Sequence, residues 1–215
     1  PQIDLAQRLA EVAPGVSPKR VFFTNSGAEA LEAGLKLARW HTGRSRALAF
    51  FGAFHGRTYG AMSLSGSKLV HRRGFSPLVP DIHHVPFPRE CPEGGTCAGA
   101  CRLIADIEDT IFRRTAPPEE VAAVFVEPIQ GEGGVRIPRK EFLQGLRKLC
   151  DKHQLLLIFD EVQTGCGRTG HWFGYQHFGV TPDILTLAKA LCGGIAGGAL
   201  LAKKEVAASL RPGMH

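Results

Sequence analysis

Short apolar runs separated by helical stretches predict an α/β fold built on a mostly parallel β-sheet with helices on both faces. Three observations point there. The strand-like runs are nearly continuous rather than alternating, as in Ala122-Ala123-Val124-Phe125-Val126 and Leu155-Leu156-Leu157-Ile158-Phe159, the pattern of strands covered on both sides. Helix-period segments lie between them, which is how parallel strands are connected. Glycine-rich and charged motifs follow directly on several of the runs, where ligands gather outside the carboxyl ends of such strands.

Taken in order, Ile3 to Val12 is an amphipathic stretch. Arg20 to Asn25 reads as a buried strand. Ser26-Gly27-Ala28 then opens a helix to about Trp40, with Ala30, Leu31, Leu35, Leu37 and Ala38 as its apolar positions. Ala47 to Phe51 is a second strand and another lies near His83 to Pro86. Cys101 to Arg113 and Arg139 to Lys152 are helices. Ala122 to Val126 is a strand, and Leu155 to Phe159 is the most apolar strand of all. Ile184 to Leu187 and Ala199 to Ala202 complete the set. Cys91 to Ala100, rich in Gly, Cys and Pro, reads as a surface loop.

Composition narrows the function classes. The 26 Lys and Arg against 20 Asp and Glu leave a formal charge of +6 over 215 residues. Much of that is a basic surface, and an electropositive cleft for anionic ligands is the sharper reading. The basic residues are dispersed and not interleaved with aromatics, so no nucleic-acid partner is expected. No apolar run reaches about 18 residues, so no membrane span is expected. Six cysteines at scattered spacing, behind a start that does not read as a secretory signal, favour a reducing, cytoplasmic setting. Cys91, Cys97 and Cys101 lack the paired spacing of a zinc site, and no metal is expected. No G-x-G-x-x-G follows the first strand, which counts against a dinucleotide fold.

The residues that bear chemistry sit at the strand ends. Asp160 closes the most apolar strand, and a buried carboxylate needs a cationic partner. A protonated ring nitrogen is one such partner, and Arg168 is the structural alternative. Lys189, at the end of the next apolar run, has no carboxylate within five residues and is followed by Gly193, Gly194, Gly197 and Gly198. A lysine in such surroundings suits Schiff-base chemistry; a snorkelling side chain is the alternative. An acid and a lysine in these places are what a pyridoxal phosphate (PLP) enzyme needs, one tuning the ring nitrogen and one capturing the aldehyde. Ser26-Gly27-Ala28 offers free helix-start amides to a phosphate, although Ser26-x-x-Glu29 also has the form of a capping box. Phe54 could lie on a ring face and Arg57 could fork a substrate carboxylate. Glu127 and Glu132 bracket a glycine-flanked turn; Val162 can pack beneath a ring and Gln163 can reach its phenolic oxygen.

With these residues assembled, the chain resembles the class III aminotransferases, the fold-type I PLP branch that includes acetylornithine, ornithine and 4-aminobutyrate aminotransferases. The resemblance rests on Thr24 to Ala30, Phe54 to Thr58, Val126 to Gly134, Phe159 to Gly165, Gly167 to Gly170 and Thr186 to Lys189. It implies a catalytic pair, Lys189 and Asp160, with Ser26, Gly27, Ala28, Phe54, His55, Glu127, Val162 and Gln163 around the cofactor. Arg57 and Glu132 meet substrate, Glu132 as a gate carboxylate. The implied organisation is the end of an N-terminal segment in 1–13 and the PLP-binding large domain in 14–215, with the small C-terminal domain absent. Both ends read as cut, so a longer protein is expected. The implied reaction moves an amino group from an amine-bearing amino acid to a 2-oxo acid, 2-oxoglutarate foremost, by a ping-pong route in a homodimer. A racemase or decarboxylase of the same class, and an inactive fragment, are the alternatives. Leu31 and Cys192 stand where relatives often carry Asn and Gly, and the substrate stays open.

Overall fold

The computed structural model describes residues 1–15, 18–88 and 98–215, with no side chain placed for 98–101. Cys91 and Cys97 of the expected loop lie outside the described residues, as does the side chain of Cys101. Seven strands form one sheet: β1 (Lys19–Thr24), β2 (Arg46–Phe50), β3 (Ile82–Val85), β4 (Val121–Val126), β5 (Leu156–Asp160), β6 (Ile184–Leu187) and β7 (Gly198–Lys203). Their spatial order is β1-β7-β6-β5-β4-β2-β3.

The run β3-β2-β4-β5-β6 is parallel throughout. β7 is antiparallel to both β6 and β1, so β1 points the same way as the parallel strands. The reason lies in the connection. Between β6 and β7 there is only a short 3-10 turn, Lys189–Cys192, and a parallel return needs a crossover of a dozen or more residues. The chain therefore doubles back beside β6.

Alternating side chains divide the core between the two faces. Val124 and Val126 of β4 and Leu157 and Phe159 of β5 join Phe142, Leu143, Leu146 and Leu149 of α5 (Lys140–His153) in one cluster. Leu9 of α1 (Gln2–Val12) and its C-cap Ala13 belong to that cluster. Ala123 and Phe125 of β4 and Ile158 of β5 face the other way. They pack on Leu31, Leu35, Leu37 and Ala38 of α2 (Gly27–Thr42) and on Ala61 and Leu64 of α3 (Tyr59–Leu64). β4 and β5 are buried on both sides, as their continuous apolar runs require, whereas β1, expected to be buried, is an edge strand that leaves Arg20 and Phe22 exposed. The expected helix near 101–113 is α4 (Ala98–Asp106) running on into a π-helical stretch, Ile107–Phe112. A four-residue helix, α6 (Lys204–Ala207), follows β7.

Candidate active site at the carboxyl edge of the sheet

β1, β2, β4, β5 and β6 end on one edge, and the segments leaving them enclose a cavity of about 380 Å³. Its lining includes Ser26, Gly27, Ala28, Phe54, His55, Arg57, Glu127, Glu132, Asp160, Val162, Gln163 and Lys189. Every site residue expected from the sequence is therefore brought to one place. That volume lies within the range of small-molecule sites.

One wall is the start of α2. Ser26 is its N-cap, extended at φ −160°, and its hydroxyl oxygen accepts from the Glu29 amide at 3.2 Å. Glu29 reaches back to the Asn25 amide at 2.7 Å. The capping alternative is thus realised, displaced by one residue. It does not compete with an anion-binding role, because the hydroxyl proton stays free to donate and the first amides, Gly27 and Ala28, have no acceptor within the helix. Gly27 is also a close approach: a Cβ there would stand 2.8 Å from a Val162 methyl.

Asp160 is the last residue of β5 and only 5% exposed. Its Oδ2 accepts from His55 Nδ1 at 2.7 Å and its Oδ1 from the Val162 amide at 2.9 Å. The structural partner is a histidine from the loop after β2 rather than Arg168. Each carboxylate oxygen has a second lone pair, so Asp160 can still accept a donor placed in the cavity. His55 is buried and its Nε2 finds no partner among the described residues. Burial opposes charge on that ring, but the Asp160 hydrogen bond and the charges of Asp160 and Glu127 outweigh it and raise its pKa. Glu127 is pushed upward chiefly by burial, with the Asp160 charge adding to it. Its two oxygens accept from Phe54 N–H at 2.8 Å and Gly131 N–H at 3.0 Å, tying the β2 and β4 loops together.

Lys189 departs from the apolar surroundings expected of it. The side chain is exposed, because it faces the open cavity and not packed core, and its Nζ donates to Gln163 Oε1 at 3.0 Å. Its backbone is left-handed, at φ 46°, a conformation that costs a non-glycine residue about 1–2 kcal/mol and that gathers at functional sites. Gln163 in turn lies against Gly131, where a Cβ would meet its amide at 2.7 Å. Val162 lies across from Gly27. The Phe54 ring carries the Arg57 guanidinium 5.2 Å from its centroid and meets the His71 ring edge-on at 5.1 Å. Glu132, at the mouth, is held by Lys68 at 2.8 Å.

Lys68, and the pairing of His55 with Asp160, carry no signal in the sequence. Both are contacts between distant segments with no local signature. Among the described residues no group of three or more His, Cys, Asp or Glu stands where it could hold a metal. None of the described helices is long and apolar enough to cross a membrane.

Comparisons with known proteins fall in one place. The family model described as aminotransferase class-III matches residues 1–215. An acetylornithine aminotransferase from Methanopyrus kandleri is 47% identical over 215 residues, covering all of this chain and 50% of that protein. A succinylornithine transaminase from Salmonella heidelberg is 47% identical over 221 residues and is covered to 48%. An (S)-enantioselective omega-transaminase from Thermomicrobium roseum superposes with a TM-score of 0.90 at 38% identity, over 99% of this chain and 50% of that one. An amine transaminase from an uncultivated Pseudomonas species, solved in its PLP-bound form, gives 0.85 at 34% identity, over 96% of this chain and 48% of that one. The chain spans about half the length of the curated relatives it matches.

Proposed function

This chain belongs to the class III aminotransferase family, and from that premise we propose that it forms the cofactor-binding half of a PLP-dependent aminotransferase. In this reading residues 14–215 are the large domain and 1–13 the end of an N-terminal segment. The enzyme takes an amino group from an amine-bearing amino acid of the acetylornithine, ornithine or 4-aminobutyrate type. It delivers the group to a 2-oxo acid, 2-oxoglutarate foremost, in two half-reactions. It works as a homodimer in the cytoplasm.

One observation supports the reading above the others: Asp160, at the end of β5, and Lys189, just beyond the adjacent β6, line a single cavity. The residues there suit the cofactor on three counts. The amides of Gly27 and Ala28 at the start of α2 suit a phosphate. The close approach of Gly27 to Val162, which a Cβ would not allow, sets those amides against the apolar Val162 side chain, a surface that suits a flat ring. Asp160, held by His55, has acceptor capacity left for a protonated ring nitrogen. When bound, PLP supplies an aldehyde that captures amines and a conjugated ring that draws electrons from the substrate carbon.

The chain's own groups do the rest. Lys189 Nζ would hold the cofactor and, when free, would carry a proton from the donor carbon to the cofactor carbon. Its hydrogen bond to Gln163 fixes where that amine stands. Asp160 keeps the ring nitrogen protonated, and His55 orients Asp160. Phe54 and Val162 close the two flanks, while Arg57 holds a substrate carboxylate.

The test is reductive trapping. Borohydride treatment of the full-length enzyme is expected to fix the cofactor to a peptide containing Lys189, and Lys189→Ala is expected to give no trapped peptide. Trapping on another lysine would defeat the proposal.

A further inference from the structure

Two consecutive buried acids end β5, and only the first of them, Asp160, lines the cavity. The second, Glu161, is fully buried. Its Oε1 accepts from the Tyr175 amide at 2.6 Å. Its Oε2 accepts from the Gly174 amide at 2.8 Å and from the Thr164 hydroxyl at 2.5 Å. All three donors are neutral. Burial pushes the Glu161 pKa up to about 7 against the pull of these bonds, so the group is a costly one to keep. What it offers in return is convergence: a carboxylate accepts on both oxygens, where an amide has only one.

The three bonds join two segments. One is the turn 161–165, closed by the Gly165 amide on the Glu161 carbonyl at 2.9 Å, which brings Val162 and Gln163 to the cavity. The other is the 3-10 segment Gly174–Phe178, seated in the core. There Tyr175 stacks on Phe173 at 5.6 Å and tilts on Phe159 of β5 at 5.9 Å. The two segments are in close contact. A Cβ on Gly174 would stand 3.0 Å from Thr164 Cβ and 3.2 Å from Glu161 Oε2. The turn is thus pinned to the core at Thr164, and the residue before it, Gln163, accepts from Lys189 Nζ at 3.0 Å.

We propose that Glu161 is a positioning residue that pins this turn to the Gly174–Phe178 segment, so that the Gln163 amide keeps one place beside the Lys189 amine. Glu161 lies outside the cavity lining and acts through Gln163. In the reading proposed above, on which this inference rests, Lys189 holds the cofactor, and the protonation of the held cofactor follows the placing of that amide.

The measurement is a pH titration of the absorbance of the cofactor bound to the full-length enzyme. Glu161→Gln leaves one accepting oxygen where two are used. It is expected to move the titration midpoint in the same direction as Gln163→Ala, by about half a pH unit or more, the worth of a weakened hydrogen bond. The double variant is expected to move it no further than Gln163→Ala alone. Thr164→Val removes only the hydroxyl and is expected to give a smaller shift of the same sign; it carries the test if Glu161→Gln does not fold. Leu149→Ala, a core substitution in α5, is the control for lost stability and is expected to leave the midpoint in place. Unmoved midpoints in the folded Glu161 and Thr164 variants, shifts that add in the double variant, or an equal shift in Leu149→Ala overturn the proposal. Failure of the underlying aminotransferase reading has a separate signature, a wild-type enzyme whose bound cofactor shows no spectral response to any amino donor.

Discussion

Gly27→Ala sets two opposing effects against each other, and the structure decides between them. Gly27 is the first residue of α2, and alanine in a helix interior is favoured over glycine by about 1 kcal/mol, less at the first position. Against this, the new Cβ would stand 2.8 and 2.9 Å from the two Val162 methyls and 3.3 Å from the Ala188 Cβ. Ordinary carbon contacts begin near 3.5 Å, so the overlap with Val162 is about 0.6–0.7 Å. Val162 cannot simply rotate away. It is β-branched, and its amide is fixed to Asp160 Oδ1 at 2.9 Å. Relief must come from parting α2 and the Val162 turn, at about 1–3 kcal/mol. The net loss of stability is about 1–2 kcal/mol, too little to unfold an ordinary domain. The displacement, however, falls where the amides proposed for the phosphate and the Val162 side chain proposed for the ring meet. PLP affinity is therefore expected to drop by about tenfold or more. Equilibrium dialysis with PLP measures the affinity, and urea unfolding of the cofactor-free protein measures the stability. Gly43→Ala is the control. Gly43 caps α2 at φ 68°, with nothing within 4 Å of a Cβ, so it loses stability through backbone strain alone. If Gly27→Ala binds PLP as well as the control does, the close-approach argument is wrong.

Two further outcomes follow from buried carboxylates. Asp160→Ala removes the acceptor of His55 Nδ1 and is expected to slow turnover by on the order of a hundredfold or more while lowering cofactor content far less. Steady-state rates beside bound-PLP absorbance check this, and near-normal turnover would count against a role in tuning the ring. Asp183 ties β6 to α5 and β7 through Arg147 at 2.8 Å and Lys203 at 2.6 Å, and accepts from the Leu157 amide at 2.8 Å. Burial works against its charge, but Arg147, the amide and Lys203 prevail and its pKa is lowered. A lowered folded-state pKa gives stability that is full above the unfolded value, near about 4, and is lost as pH falls below it. Asp183→Asn is thus expected to cost about 3 kcal/mol at pH 7, and urea curves should show its gap from wild type shrinking below about pH 4. A gap independent of pH would refute the assignment.

The parts of the site that could be read in advance are those written in consecutive residues. The end of an apolar run is also the end of a strand, so Asp160 and Lys189 could be placed at the sheet edge from sequence alone. The structure puts Asp160 last in β5 and Lys189 two residues beyond β6. Ser26, Gly27 and Ala28 were legible for the same reason, as a strand end followed by a helix start. The reversal of β7 was not, because an apolar run has no direction; only the shortness of the 188–197 connection bears on it. His55 and Asp160 are 105 residues apart, and Lys68 and Glu132 are 64 apart. No periodicity relates such pairs, so they became visible only with the fold.

The contrast between the two central residues follows from the work proposed for them. Apolar flanks on both strands suggested that acid and amine alike would be buried, and the structure buries only the acid. Asp160 is 5% exposed, with an oxygen on the His55 ring and another on a backbone amide. A group that must hold one charge next to one atom gains from such fixing, since preorganised dipoles need no rearrangement during reaction. Lys189 is exposed, with Gln163 as its hydrogen-bond acceptor, on a left-handed backbone after its strand. An amine that must form a bond, let go and then carry a proton between two carbons would be hindered by a packed environment. The left-handed turn lets the chain leave β6 at once, so the lysine stem enters the cavity and not the sheet. Apolar neighbours in sequence therefore mark the strand that delivers Lys189 and not the surroundings in which its amine works.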